Sequence, residues 1–180
     1  MKVPEQPVPG ATFEDLAMPL FDQLYNFARW LTQDTAEAED LVQETYAKAL
    51  RGFSSFQIGT NFRAWMYRIL RNSFLSSRTG LKTTVALDEE GDEHLLPSES
   101  STPESILIEQ ANREMVQQAL AELPVPFREI LLLCEVEEMS YHEISETLAI
   151  PMGTVMSRLS RARKALRDLL RKSGGGRHGV

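Results

Sequence analysis

The chain has 180 residues, 42% of them hydrophobic and 25% charged, proportions that exclude a wholly disordered polymer. Its one cysteine, Cys134, excludes an internal disulfide framework and a cysteine-rich zinc site. The net charge of −7 does not exclude a polyanionic partner, because residues 81–111 alone hold one basic and eight acidic side chains, whereas 151–180 hold eight basic ones and only Asp168 as acid.

The first residues, 1–11, carry prolines and acid rather than a basic start and an apolar run, so no secretory signal is read there. No stretch approaches the roughly 18 uninterrupted apolar residues of a membrane span, and the expected setting is the reducing cytoplasm. Phe13, Leu16, Leu20, Leu24, Phe27 and Leu31 recur at spacings of three and four, which predicts one buried helical stripe. Asp34 and Glu37 have the spacing of a capping box and open a second helix with Ala38, Leu41, Val42, Thr45, Tyr46 and Ala49 on one face. Its other face holds Glu37, Asp40, Gln43, Glu44 and Arg51, a solvated acidic side or a docking surface. Residues 52–60 read as a loop.

A third helix is predicted over 61–78, with Phe62, Trp65, Met66, Ile69 and Leu70 as core. Its second arc presents Tyr67, Arg68, Arg71, Phe74, Leu75 and Arg78, and the segment has four arginines and no acid. Aromatics interleaved with arginine can stack unpaired bases while neutralising phosphates, or Tyr67 and Phe74 can sit at the edge of the core. Residues 79–103 are an acidic linker by composition. Thr102-Pro103-Glu104 then reads as a helix start, followed by a helix to about Glu122 with Ile106, Ala111, Met115, Ala119 and Leu120 as apolar positions. Pro124 and Pro126 break it, and 127–136 is the next helix. Ser140 and Glu143 form a second capping box before a short helix, residues 150–153 form a tight turn, and Val155, Leu159, Ala162, Leu166 and Leu169 make a continuous seam. This is the sequence form of a helix-turn-helix. The side opposite Val155 carries Thr154, Ser157, Arg158, Ser160, Arg161, Lys164 and Arg171, donors suited to bases and phosphates in a major groove.

The segments 38–46 (AEDLVQETY), 62–69 (FRAWMYRI), 123–132 (LPVPFREILL), 140–144 (SYHEI) and 150–163 (IPMGTVMSRLSRAR) together resemble bacterial sigma factors of the extracytoplasmic-function group. The likeness covers about residues 13–172, in order. It implies an all-α fold of two small helical domains joined by a flexible acidic linker. These are a region 2 bundle over 12–78 and a region 4 helix-turn-helix over 104–173, with the linker at 79–103 and a disordered tail at 174–180. It further implies a transcription initiation factor, with Asp40, Gln43 and Glu44 docking on the β′ clamp helices of core RNA polymerase and the β flap as a further contact. Asn61, Arg68, Arg71 and Asn72 are implicated at the −10 element of promoter DNA, and the loop at 52–60 in holding a flipped base. Thr154, Ser157, Arg158, Arg161 and Lys164 are implicated at the −35 element. An anti-sigma factor is the expected regulator, and the linker is a nucleic-acid mimic in the polymerase channel or a plain spacer.

The rival readings are narrower. His94, His142 and His178 have no metal-ligand spacing, no phosphate loop or nucleophile motif is present, and Cys134 lies in an apolar run. No enzyme, cofactor, metal or small-molecule substrate is therefore expected. A sigma-like mimic that sequesters an anti-sigma factor is the other candidate, although it has no need of the two basic faces this chain has.

Overall fold

A computed structural model describes residues 10–79 and 106–174, which form eight α-helices and no β-strand. In the first block, α1 (Phe13–Ala17) is capped reciprocally: the Thr12 hydroxyl accepts from the Asp15 N–H, and the Asp15 carboxylate accepts from the Thr12 N–H at 3.0 Å. Pro19 turns the next three residues into a 3₁₀ segment, Met18–Leu20, before α2 (Phe21–Thr32). The predicted stripe survives this change of helix type, with Phe13, Leu24, Phe27 and Leu31 buried. Asp34 caps α3 (Thr35–Gly52) by accepting the Glu37 N–H at 2.8 Å, but only half of the expected box forms, because the Glu37 carboxylate pairs with Arg78 at 2.9 Å. A 3₁₀ turn, Phe53–Ser55, and a short loop lead to Asn61, whose side-chain oxygen caps α4 (Phe62–Arg78).

Of the two readings left open for the second arc of α4, the structure supports the core one for its aromatic rings. Tyr67 and Phe74 are fully buried, and Tyr67 meets Phe27 of α2 edge-on with ring centroids 5.1 Å apart. The helix is sandwiched: α3 packs on one side, while α2 and the second block cover the other. Two-sided packing leaves no aromatic platform for bases on this arc.

The second block starts with α5 (Ile106–Glu122). Pro124 forms the N-cap of α6 (Val125–Leu131), which therefore begins two residues before the predicted start. Pro126 sits inside its first turn, where a missing N–H costs nothing. The last turn of this helix widens into a π turn, Leu132–Val136, closed by the Glu137 N–H on the Leu132 carbonyl at 3.0 Å. Next come α7 (Tyr141–Leu148) and α8 (Met152–Gly174). The predicted linker lies outside the described residues except for Thr79. The proposed helix start at Thr102 lies wholly outside them, and so does the tail beyond Gly174, which is itself the last residue of α8.

The helix-turn-helix forms as its local signals dictate. The Ser140 hydroxyl accepts from the Glu143 N–H, and the Glu143 carboxylate accepts from the Ser140 N–H at 2.8 Å. Ala149 ends α7 in the left-handed region at φ 53°, and the Ser145 hydroxyl donates to the Ile150 carbonyl at 2.6 Å to hold the turn. Val155, Leu159 and Ala162 are buried, whereas Leu166 and Leu169 are half-buried toward the helix end. Ser140→Ala is expected to cost about 1 kcal/mol of stability in urea denaturation, the usual value of an N-cap.

The two blocks do not stand apart. Their buried side chains form one cluster that runs from Phe13 to Ala162. At one edge the Arg128 guanidinium of α6 donates to the Leu31 carbonyl of α2 at 2.8 Å, and also to the carbonyls of Leu120, Ala121 and Leu123 at the end of α5.

Candidate nucleic-acid interface

Three surfaces were expected from the sequence, and the fold treats them differently. The acidic side of α3 is open. Asp40, Gln43 and Glu44 are exposed on consecutive turns, opposite the buried Ala38, Leu41, Val42, Thr45 and Ala49. Glu44 pairs with Lys48 at 2.6 Å, an exposed i,i+4 contact worth about 0.3–0.5 kcal/mol and easily exchanged for another partner. Leu50, 56% exposed, extends this face with an apolar end.

The helix α8 follows the tight turn and presents Ser157 and Lys164 to solvent, with Thr154, Arg158 and Arg161 half-buried beside them. The five expected −35 residues thus lie along one helix. Arg158 differs from the others. Burial pulls its guanidinium pKa down, against the pull of Glu129 of α6 and with the help of Arg71 of α4 and Arg161.

The third surface, the basic side of α4, is covered. The Asn61 amide donates to the Glu143 carboxylate at 3.0 Å, and Arg68 donates to the Glu146 carbonyl, its Nε at 3.0 Å. Arg71 makes a two-pronged pair with Glu129, at 2.9 and 3.1 Å. Asn72 lies outside this group and is exposed. Three of the four expected −10 residues are therefore brought together, and all three face the second block.

Several members of this seam were not singled out from sequence. Arg63 donates to the Glu137 carbonyl at 2.6 Å and to its carboxylate at 3.2 Å, while the Tyr67 hydroxyl donates to the same carboxylate at 2.5 Å. Glu129 is fully buried, and burial pushes its carboxyl above the ordinary range, against the pull of Arg71 and then Arg158. Burial likewise raises Glu137, opposed by the Tyr67 hydroxyl and Arg63. The Tyr67 hydroxyl is pushed far up by burial and by the adjacent Glu137 charge, so it stays protonated and donates. The one available signal was Glu129 standing directly before the apolar run 130–133, since an acid at the edge of a buried helix needs a partner.

No described helix is long and apolar enough to cross a membrane, and no cluster of three or more metal-ligating side chains occurs among the described residues.

Comparison with known proteins matches both blocks. The family "Sigma-70 region 2" covers residues 16–83 and "Sigma-70, region 4" covers 113–166. The ECF RNA polymerase sigma factor SigE of Mycolicibacterium smegmatis is 39% identical over 90% of this chain, which spans 66% of that relative's length. The ECF RNA polymerase sigma factor SigW of Bacillus subtilis is 32% identical over 88% of this chain and 89% of its own length. Among solved structures, the sigma factor RpoE of Bartonella quintana, in complex with the anti-sigma factor NepR, is 30% identical with a TM-score of 0.64, covering 88% of this chain and 98% of that one. CnrH in complex with the cytosolic domain of CnrY shares the fold, with a TM-score of 0.64 at 21% identity. Proteins of this kind are transcription initiation factors rather than enzymes. With region 2 on the first helical block, region 4 on the second, and full-length relatives above 30% identity, the chain belongs to the ECF group of the sigma-70 RNA polymerase sigma factors.

Proposed function

We propose that the chain binds core RNA polymerase in the cytoplasm and directs it to promoters that carry particular −35 and −10 elements. The observation that carries this reading is the capped helix-turn-helix whose second helix sets Thr154, Ser157, Arg158, Arg161 and Lys164 along one side. Hydroxyl and guanidinium donors at the start and flank of α8 match what base edges and phosphates accept in a major groove. Asp40, Gln43 and Glu44 dock on the β′ clamp helices, with the β flap as a second contact. Asn61, Arg68, Arg71 and Asn72 serve the −10 element once α4 is uncovered. Binding free energy drives strand opening: flipping a base out costs a few kcal/mol, and new contacts return about 1–3 kcal/mol per stacked base. The relative solved with an anti-sigma factor supports a regulator of the same kind here.

The test separates docking from DNA reading. Asp40→Ala combined with Glu44→Ala is expected to lower affinity for core polymerase by about tenfold in competition against another sigma factor, since both charges sit on an exposed interface. Both side chains are exposed, so the helix content should not change. Undiminished competition by the double variant would overturn the assignment of this face.

A further inference from the structure

The outward side of α8 has an apolar edge that its basic composition hides. Met152 and Met156 stand one turn apart at the start of the helix, 39% and 50% exposed, outside the buried seam of Val155, Leu159 and Ala162. Helical spacing sets Met156 about 100° from Val155 and beside the exposed Ser157 and Ser160, so it is turned out with the hydroxyls. A single exposed methionine is ordinary on a protein surface. Here two lie on the first two turns, the part from which a recognition helix reaches base edges. We infer that Met156 is a base-reading residue, its thioether chain covering the C5-methyl group of a thymine in the −35 element. This inference rests on the proposed role of α8 at that element and names what one side of the helix reads there.

The surroundings of Met156 suit a methyl group better than a phosphate. Arg163, two turns further along the same flank, is tied to Glu135 at 2.7 and 3.1 Å and reaches the Cys134 sulfur at 3.7 Å. By helical spacing Arg158 and Arg161 lie on the opposite flank, so α8 has a charged edge and an apolar one. The thymine methyl is the apolar feature of the major groove, and no hydroxyl or guanidinium can use it. Methionine is unbranched and polarisable, so it follows a methyl group without a rigid pocket. The next residue reads the other half of such a pair. The Ser157 hydroxyl donates to the Thr154 carbonyl at 3.2 Å, which leaves its oxygen to accept, and the adenine partner of a thymine offers an amino donor. Close approach is provided by Gly153, on the same outward side one turn before Ser157. A Cβ there would meet nothing within 4 Å, so the fold itself does not ask for glycine, a residue that weakens a helix. Its missing side chain lets the start of α8 enter the groove more deeply.

The test uses holoenzyme assembled from the full chain and core polymerase, on a promoter duplex that the chain transcribes. Each thymine of the −35 element, on either strand, is replaced in turn by deoxyuridine, which removes the C5-methyl group and keeps the base pair. Affinity is read by competition against the unmodified duplex. Burial of one methyl group is worth about a fourfold change in affinity, so one replacement is expected to weaken binding by that factor. In Met156→Ala the modified and unmodified duplexes should bind alike, and Met156→Leu should restore part of the difference. Met156 is exposed, so circular dichroism should show unchanged helix content in both variants. A deoxyuridine penalty of equal size in the parent and Met156→Ala overturns the role of Met156. So does the absence of any penalty at every thymine of an element whose scrambling abolishes binding. Binding that survives scrambling of the whole −35 element overturns more, because it removes α8 from promoter reading and the methyl contact with it.

Discussion

Arg128→Ala is expected to lose about 3 kcal/mol of stability and to lower Tm by roughly 6–12 °C for a chain of this size. The guanidinium is 8% exposed and donates to four carbonyls. Three belong to the end of α5, where the last carbonyls of a helix run out of N–H partners, although the Leu120 carbonyl also accepts the Leu123 N–H at 3.3 Å. The fourth, on Leu31, lies at the end of α2 in the other block. Removing the side chain strands these acceptors in a site that water reaches poorly, although relief of the buried charge returns part of the loss. Lysine has no planar fork to reach several carbonyls at once, so Arg128→Lys should recover little. Thermal unfolding followed by circular dichroism measures both. A Tm change under about 2 °C in Arg128→Ala would show that solvent replaces the guanidinium and that it is not the pin between the blocks.

Arg158→Ala together with Arg161→Ala is expected to reduce −35-dependent transcription on the order of a hundredfold or more, since each donor to a base or phosphate is worth about 1–3 kcal/mol. The seam of Val155, Leu159 and Ala162 that holds α8 in place is untouched, so the helix-turn-helix should persist. Competition for core polymerase should also persist, because the exposed α3 face is unaltered. Arg158 is the more complex member of the pair. It is half-buried near Glu129 and Arg71, so its loss also removes a cation from the seam, and Arg161→Ala alone is the cleaner probe of DNA reading. Unchanged −35-dependent transcription in the double variant would remove α8 from promoter recognition.

What could be read from the sequence was what is decided locally. The capping box of Ser140 and Glu143 and the 4-3-4-3 seam of α8 specify their helices within a few residues, and both formed. The alternation of apolar and acidic positions on α3 likewise separated the buried side from the exposed Asp40, Gln43 and Glu44. Tyr67 and Phe74 were ambiguous because a helical wheel shows two apolar arcs without saying how many neighbours a helix has. Here α4 has neighbours on both sides, and both rings are core. The buried charges were illegible for a different reason. Glu129 and Glu137 are satisfied by Arg71 and Tyr67, and Arg128 in part by Leu31; these partners lie 58 to 97 residues away, and no local pattern encodes a partner at that separation. The π turn at Leu132–Val136 was also not legible, since the segment reads from sequence as an ordinary helix.

The most direct test of the account is run-off transcription, with the purified chain and bacterial core polymerase on a pool of promoter fragments. Discrete transcripts are expected whose templates share a −35 and a −10 element, with their loss when either element is scrambled. Tight binding to core polymerase with no specific transcript from any template would contradict it, and would leave a sigma-like chain that occupies sigma-binding partners without starting RNA synthesis.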